Sequence, residues 1–177
     1  MKDRSVLLTA IFLAIALLSV LFLFLPKNEA KIEQSIELVP LAFENNSSIS
    51  SEYTCDGRDS FPAFKVSAPC KYIAVVIYDP DAPLGTFYHF AAYNIPSMKE
   101  MIVNESVNGV VTENDFGVKE YRGPCPPKGD KPHRYFIEVY CQKDVIKERV
   151  ESARKLHKLL KRAGYGYNFL VFRYARK

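Results

Sequence analysis

Three runs rich in β-branched and aromatic residues, 71–78 (KYIAVVIY), 88–95 (YHFAAYNI) and 134–141 (RYFIEVYC), read as strands, and each abuts a polar stretch punctuated by proline. The first run stops at Asp79-Pro80-Asp81-Ala82-Pro83. The second opens at His89; the third follows Gly123-Pro124-Cys125-Pro126-Pro127-Lys128-Gly129 and opens at His133-Arg134-Tyr135. Proline lacks the ladder donor and fixes φ, so these stretches are loops or edges of preset geometry. If neighbouring strands run antiparallel, the end of the first run and the starts of the other two meet at one rim of a sheet. That rim carries two of the three histidines and two carboxylates, the make-up of a small polar pocket on stiff loops.

In their order these motifs, with Gly85-Thr86-Phe87-Tyr88-His89, Tyr93-Asn94-Ile95-Pro96, Asn114-Asp115-Phe116-Gly117 and Tyr121-Arg122 added, resemble the phosphatidylethanolamine-binding protein family. Tyr53-Thr54-Cys55-Asp56-Gly57 is similar to its prokaryotic, Raf kinase inhibitor-like branch. The likeness runs from Ser35 to the C-terminus. It implies an all-β fold with one or two helices, an antiparallel β-sandwich holding an anion pocket for phosphate-type head groups. By motif position the resemblance maps that pocket to Asp79, Asp81, Pro83, His89, Gly123, His133 and Tyr135. Phe90 stands where many prokaryotic members carry Trp, and Tyr121 where some eukaryotic members carry a small residue; both bear on pocket size and ligand identity.

The residue chemistry agrees with anion capture. Two imidazoles, the Tyr135 hydroxyl and the Gly123 amide offer donors, while the Asp79 and Asp81 carboxylates are expected to orient the imidazoles and keep them protonated. Two Asp and two His also have the composition of a divalent-metal site. The proline-rich loops and the resemblance favour the anion, so neither metal nor cofactor is expected. The bland roles are turn formation for Asp before Pro and structural packing for each histidine. No G-x-S-x-G, H-E-x-x-H or phosphate-cradling G-x-x-x-x-G-K-[ST] occurs, so no enzyme is expected. A Cys125–His133 thiol–imidazole pair is the remaining catalytic option. The expected function is therefore a membrane-anchored binding protein for a small anion or phospholipid head group, with a protein inhibitor of a protease or kinase as the alternative.

The membrane expectation comes from residues 6–25, a charge-free run whose polar members are Thr9 and Ser19. About 20 such residues cross a hydrocarbon core of about 30 Å. The run ends Leu25-Pro26-Lys27-Asn28-Glu29-Ala30, a poor cleavage site, which favours an uncleaved anchor over a signal peptide. Residues 1–5 then form a cytoplasmic start, 6–25 a single-pass anchor, 26–34 a linker and 35–177 one domain, placed outside the cytoplasm by the weak excess of Lys2 and Arg4. A domain of that size buries a real core.

The net charge of +4 conceals an asymmetry: residues 1–146 hold 14 basic and 18 acidic side chains, and residues 147–177 hold 10 and 2. Val150, Ala153, Leu156 or His157, Leu160 and Ala163 make a helical stripe ending near Gly164, and residues 168–174 read as a last strand. The charges then sit on a solvated helix face or meet anionic lipid. Nucleic acid is not expected, since no recognition motif accompanies them.

Four cysteines allow three pairings. Cys70 and Cys141 lie nine and eight residues along their strands from Asp79 and His133, roughly 26–30 Å from the pocket rim. They are expected to meet as a disulfide at the far end, leaving Cys55 and Cys125 near the pocket as a second bridge or as free thiols.

Overall fold

The computed structural model describes residues 35–177, which form one compact unit. Among them no helix is long and apolar enough to cross a membrane, and the anchor expected over residues 6–25 lies outside the described residues.

The chain forms β1 (Glu37–Pro40), a 3-10 turn (Ser51–Tyr53), β2 (Phe64–Ser67), β3 (Tyr72–Asp79), β4 (Phe87–Pro96), β5 (Met101–Val103), β6 (Val110–Val111), β7 (His133–Gln142), α1 (Ala153–Arg162) and β8 (Tyr167–Tyr174). Two sheets result, one of three strands in the order β1-β2-β5 and one of five in the order β6-β4-β3-β7-β8. Every strand pair is antiparallel. Among the described residues the fold is thus mostly β with antiparallel sheets and one α-helix.

Central β3 explains why its sequence is a continuous apolar run and does not alternate. Ile73, Val75 and Ile77 fill the core between the sheets, and Ala74, Val76 and Tyr78 face a second core under α1. A strand covered on both faces has no solvent side to mark with polar residues. On the sheet face of α1, Ala153, Leu156, His157 and Leu160 are buried, as the helical stripe requires. The Ser152 hydroxyl caps its first turn by accepting from the Lys155 amide, and Lys161 and Arg162 in the last turn suit the negative end of the helix dipole.

Under α1 lies a polar knot that the sequence did not announce. Glu138 of β7 accepts from the Tyr78 hydroxyl at 2.7 Å and from the Tyr140 hydroxyl, and His157 Nε2 stands 2.7 Å from the same carboxylate. His157 Nδ1 is 3.0 Å from the Tyr88 hydroxyl. Burial opposes the Glu138 charge, yet hydrogen bonds from His157, Tyr140 and Tyr78 hold its carboxyl down at about 2. A buried carboxylate is tolerated only when its lone pairs are filled this way.

Two disulfides tie the domain. Cys70 is bonded to Cys141 with their Cα atoms 5.6 Å apart, and Cys55 to Cys125 at 5.4 Å. The first closes the end of the large sheet where Cys141 N donates to Gly166 O. The described chain enters near this end too, Asn168 Nδ2 of β8 donating to Ile36 O at 2.8 Å.

Candidate functional site

At the opposite end of the large sheet the rim expected from the strand pattern assembles. Asp79 ends β3 directly across from Phe87, which begins β4, and His133 begins β7 across from Tyr174 of β8. Between the Ile77–Phe90 and Tyr78–Tyr88 pairs the register shifts, so His89 is the extra residue of a β-bulge. A bulge breaks strand alternation and re-aims one side chain. His89 consequently turns into a cavity of about 240 Å³ bounded by Asp79, Pro83, Phe87, Phe116, Pro126, His133 and Tyr135, with Ala82, Cys125 and Pro127 completing its wall.

Asp79 is buried and braces this cavity twice. Its Oδ2 accepts from His133 Nδ1 at 2.8 Å, and its Oδ1 accepts from the Asp81 amide at 2.7 Å, the Asx turn that Asp-Pro-Asp favours. His133 Nε2 lies 3.5 Å from Asp130 Oδ2. Asp81 does something else. Its oxygens take the Arg134 guanidinium in a two-pronged pair at 2.7 and 2.8 Å and also accept the Arg134 amide at 2.9 Å. That partnership holds the Asp81 carboxyl down at about 2 and turns it away from the cavity, so Asp79 alone orients an imidazole.

His89 also differs from expectation. Its Nδ1 stands 2.7 Å from Arg122 O, and because a carbonyl only accepts, the ring must donate there. Burial pushes the His89 imidazole below its ordinary value, outweighing the raising influence of the Arg122 carbonyl and Asp79. Asp79 therefore does not offset the burial of His89, and burial favours the uncharged ring, whose Nε2 offers a lone pair, an acceptor and not a donor.

Tyr135 is 1% exposed and packs flat on Phe172 and edge-on to His89, with centroids 5.3 and 5.4 Å apart. Burial and the Asp79 charge push its phenol far above its ordinary value, so it stays a hydroxyl. Among the buried side-chain polar atoms of the described residues, its oxygen is the one that makes no well-formed hydrogen bond, the Asp79 carboxylate being close enough to act on it but poorly aligned. Native proteins rarely bury such a group, and one lining a cavity is poised for a ligand atom.

Gly123 lies outside the cavity lining. Its amide donates to Asp59 Oδ1 at 2.7 Å, so it is not available to an anion. A Cβ there would come within 2.3 Å of Tyr53 O, so only glycine lets the two loops meet. Cys55 N donating to Pro124 O, the Tyr121 hydroxyl donating to Tyr53 O and the Cys55–Cys125 bridge complete this seam. Because Cys125 is bonded to Cys55, the thiol–imidazole pair with His133 is not formed. Among the described residues no three His, Cys, Asp or Glu side chains gather as a metal-ligand set.

Phe87, Phe116 and Asn114 belong to the site although the sequence reading singled out none of them as a site residue. Asn114 Nδ2 donates to His89 O and Glu120 O, and its Oδ1 accepts from the Phe116 and Val118 amides, which fixes Phe116 over the cavity. The turn-forming string Asn114-Asp115-Phe116-Gly117 was the available signal.

The model of the phosphatidylethanolamine-binding protein family matches residues 40–175. A UPF0098 protein of Pyrococcus horikoshii is 36% identical over 151 residues, covering 78% of this chain and 76% of its own. The UPF0098 protein YbcL of Escherichia coli is 34% identical over 110 residues, covering 55% and 60%. Among solved structures, that of Escherichia coli YbcL superposes with a TM-score of 0.68 at 24% identity, covering 81% of this chain and 99% of its own. A carboxypeptidase Y inhibitor complexed with its cognate proteinase superposes with a TM-score of 0.56 at 18% identity, covering 81% and 84%. With the family model reaching from Pro40 at the end of β1 across every later strand, α1 and every residue of the cavity wall, the chain belongs to the phosphatidylethanolamine-binding protein family, in its prokaryotic branch.

Proposed function

We propose that this is a membrane-anchored binding protein, not an enzyme, whose cavity captures a small phosphorylated head group in its singly protonated form. The unpartnered Tyr135 hydroxyl carries the reading: it calls for a ligand oxygen that accepts. Neutral His89, its Nδ1–H spent on Arg122 O, calls for a ligand hydroxyl that donates to Nε2. A phosphomonoester monoanion offers both on adjacent oxygens of one phosphorus. A cavity of about 240 Å³ suits a head group without its acyl chains. The anchor is the charge-free run of residues 6–25.

A phosphomonoester loses its second proton near pH 6, so affinity is expected to fall as pH rises through that value. Calorimetric titration of residues 35–177 with phosphoethanolamine, a monoester, and glycerophosphoethanolamine, a diester, tests this. The monoester is expected to bind more tightly, by about tenfold for one lost hydrogen bond. Equal affinity for the diester, or binding that requires an added divalent metal, overturns it. Inhibition of a protease or kinase is the second reading, favoured by the fold shared with a carboxypeptidase inhibitor. Stoichiometric inhibition of a target enzyme by a domain that takes up no phosphomonoester selects it.

A further inference from the structure

The outer face of the large sheet beyond α1 has no role in the cavity. On β7 and β8 its residues pair across the strands as Arg134 with Arg173, Phe136 with Val171, Glu138 with Phe169 and Tyr140 with Tyr167. The helix covers the residues of β3 and β4 on this side and leaves β8 open. Phe169 and Tyr167 stay 46% and 52% exposed, although Phe169 leans on Phe136 at 5.7 Å and Tyr167 stacks on Tyr140 at 5.2 Å.

The free edge of β8 is closed against another strand. Asn46 N donates to Val171 O, Arg173 N donates to Ser47 O, and Phe169 N is taken by its neighbour's Asn168 Oδ1. A partner must therefore meet this face through side chains, not by extending the sheet. Charge selects the partner: residues 147–177, which supply both α1 and β8, carry 10 basic and 2 acidic side chains, against 14 and 18 in the rest. Arg154 and Lys155 are paired with Asp115 and Glu151, whereas exposed Lys158 and Arg162 form no ion pair among the described residues. Residues 163–166 connect α1 to β8, and Lys161 Nζ in the last turn lies 3.8 Å from Glu138, the residue opposite Phe169, so the basic end of α1 borders the two aromatics.

We propose that this face of α1 and β8 docks on an anionic lipid bilayer, Tyr167 and Phe169 seating at head-group level while Lys158 and Arg162 meet lipid phosphates. Aromatic rings concentrate at that depth of a membrane, and basic side chains are drawn to its anionic surface. An acidic protein would match the charge but gives no reason for two bare aromatics on a blunted edge.

Residues 35–177 hold both sheets, both cores and both disulfides, so they can be tested without the N-terminal run. Co-sedimentation with vesicles of phosphatidylcholine alone and of phosphatidylcholine mixed with phosphatidylglycerol is the assay. Binding is expected on the mixture only, weakening as salt rises. Lys158→Gln with Arg162→Gln should lower it roughly 25-fold, about fivefold per basic side chain. Tyr167→Ser with Phe169→Ser should lower it about tenfold while leaving the salt dependence intact. Lys158 and Arg162 are exposed and make no side-chain hydrogen bond or ion pair among the described residues, so the result for the charge pair stands even if the aromatic pair misfolds on circular dichroism. Equal binding to phosphatidylcholine alone, or unchanged binding in both variants, overturns the proposal. Loss of binding on adding inorganic phosphate would place the lipid in the cavity instead. Self-association by ultracentrifugation that vanishes in the aromatic variant would make the occupant a second copy.

Discussion

Replacing Tyr135 by Phe removes one oxygen from the centre of the cavity wall, and the structure fixes the sign of two effects. A buried hydroxyl with a partner contributes about 1 kcal/mol, and one without a partner costs about 1–3 kcal/mol of desolvation. Tyr135 is 1% exposed and makes no well-formed hydrogen bond, only a loose approach to Asp79, so Tyr135→Phe should raise stability by about 1 kcal/mol, a gain of about 4 °C in Tm for a domain of this size. Tyr121 is the control. It is also buried, but its hydroxyl donates to Tyr53 O at 3.0 Å, so Tyr121→Phe should lose about 1 kcal/mol. Phosphoethanolamine binding should respond in the opposite sense, Tyr135→Phe weakening it by about 1.5–3 kcal/mol, the range for a hydrogen bond to a charged group. Thermal denaturation by circular dichroism and calorimetric titration on both variants give the four numbers needed. A Tyr135→Phe domain that melts several degrees lower with unchanged affinity would show that the hydroxyl is structural, and the reasoning from its isolation would be refuted.

Cys70→Ala with Cys141→Ala opens a loop closed over a sequence separation of 71. The chain-entropy relation gives a loss of about 4 kcal/mol, to be read from guanidinium denaturation midpoints. Glu138→Gln should cost about 3 kcal/mol, because a buried charge and its hydrogen bonds go together. The same residue sets an acid limit. Its folded carboxyl is held at about 2, below the unfolded value, so its contribution is full above about pH 4.5 and is lost as pH falls from there toward 2. In urea denaturation across that window the wild type should lose stability, whereas Glu138→Gln should give a flatter profile; parallel profiles would contradict the assignment.

The strands at 71–78, 88–95 and 134–141 were legible because each is a long run of β-formers ended by a proline loop, and α1 because its stripe keeps helical period. Counting residues along straight strands was enough to bring Cys70 to Cys141, since Cys141 lies on β7 and Cys70 just before β3, its neighbour in the sheet. β1, β2, β5 and β6 have two to four residues each, too few for any periodicity to register. The roles within the site hid for other reasons. His89 faces the cavity because of a register shift, a property of two strands together. Asp81 is claimed by Arg134, 53 residues away, and Gly123 is required by its approach to Tyr53, so both depend on tertiary neighbours. Residue type signalled a polar rim, whereas the division of labour within it arises only on folding.

The point at which the described chain enters has a practical corollary. Ile36 is held beside Asn168, which pairs with Val139, whereas His133 and the cavity lie six residues further along β7, a span of about 20 Å. A domain fixed to a sensor surface or a bead through its N-terminal end is therefore gripped away from the cavity mouth. Solute reaches Asp79, His89 and Tyr135 without crossing the support, which makes N-terminal capture the orientation of choice for ligand screening. Attachment through the C-terminus is less suitable, because Gly129 N donates to Arg176 O and Arg176 clamps Asp56, next to the Cys55–Cys125 wall.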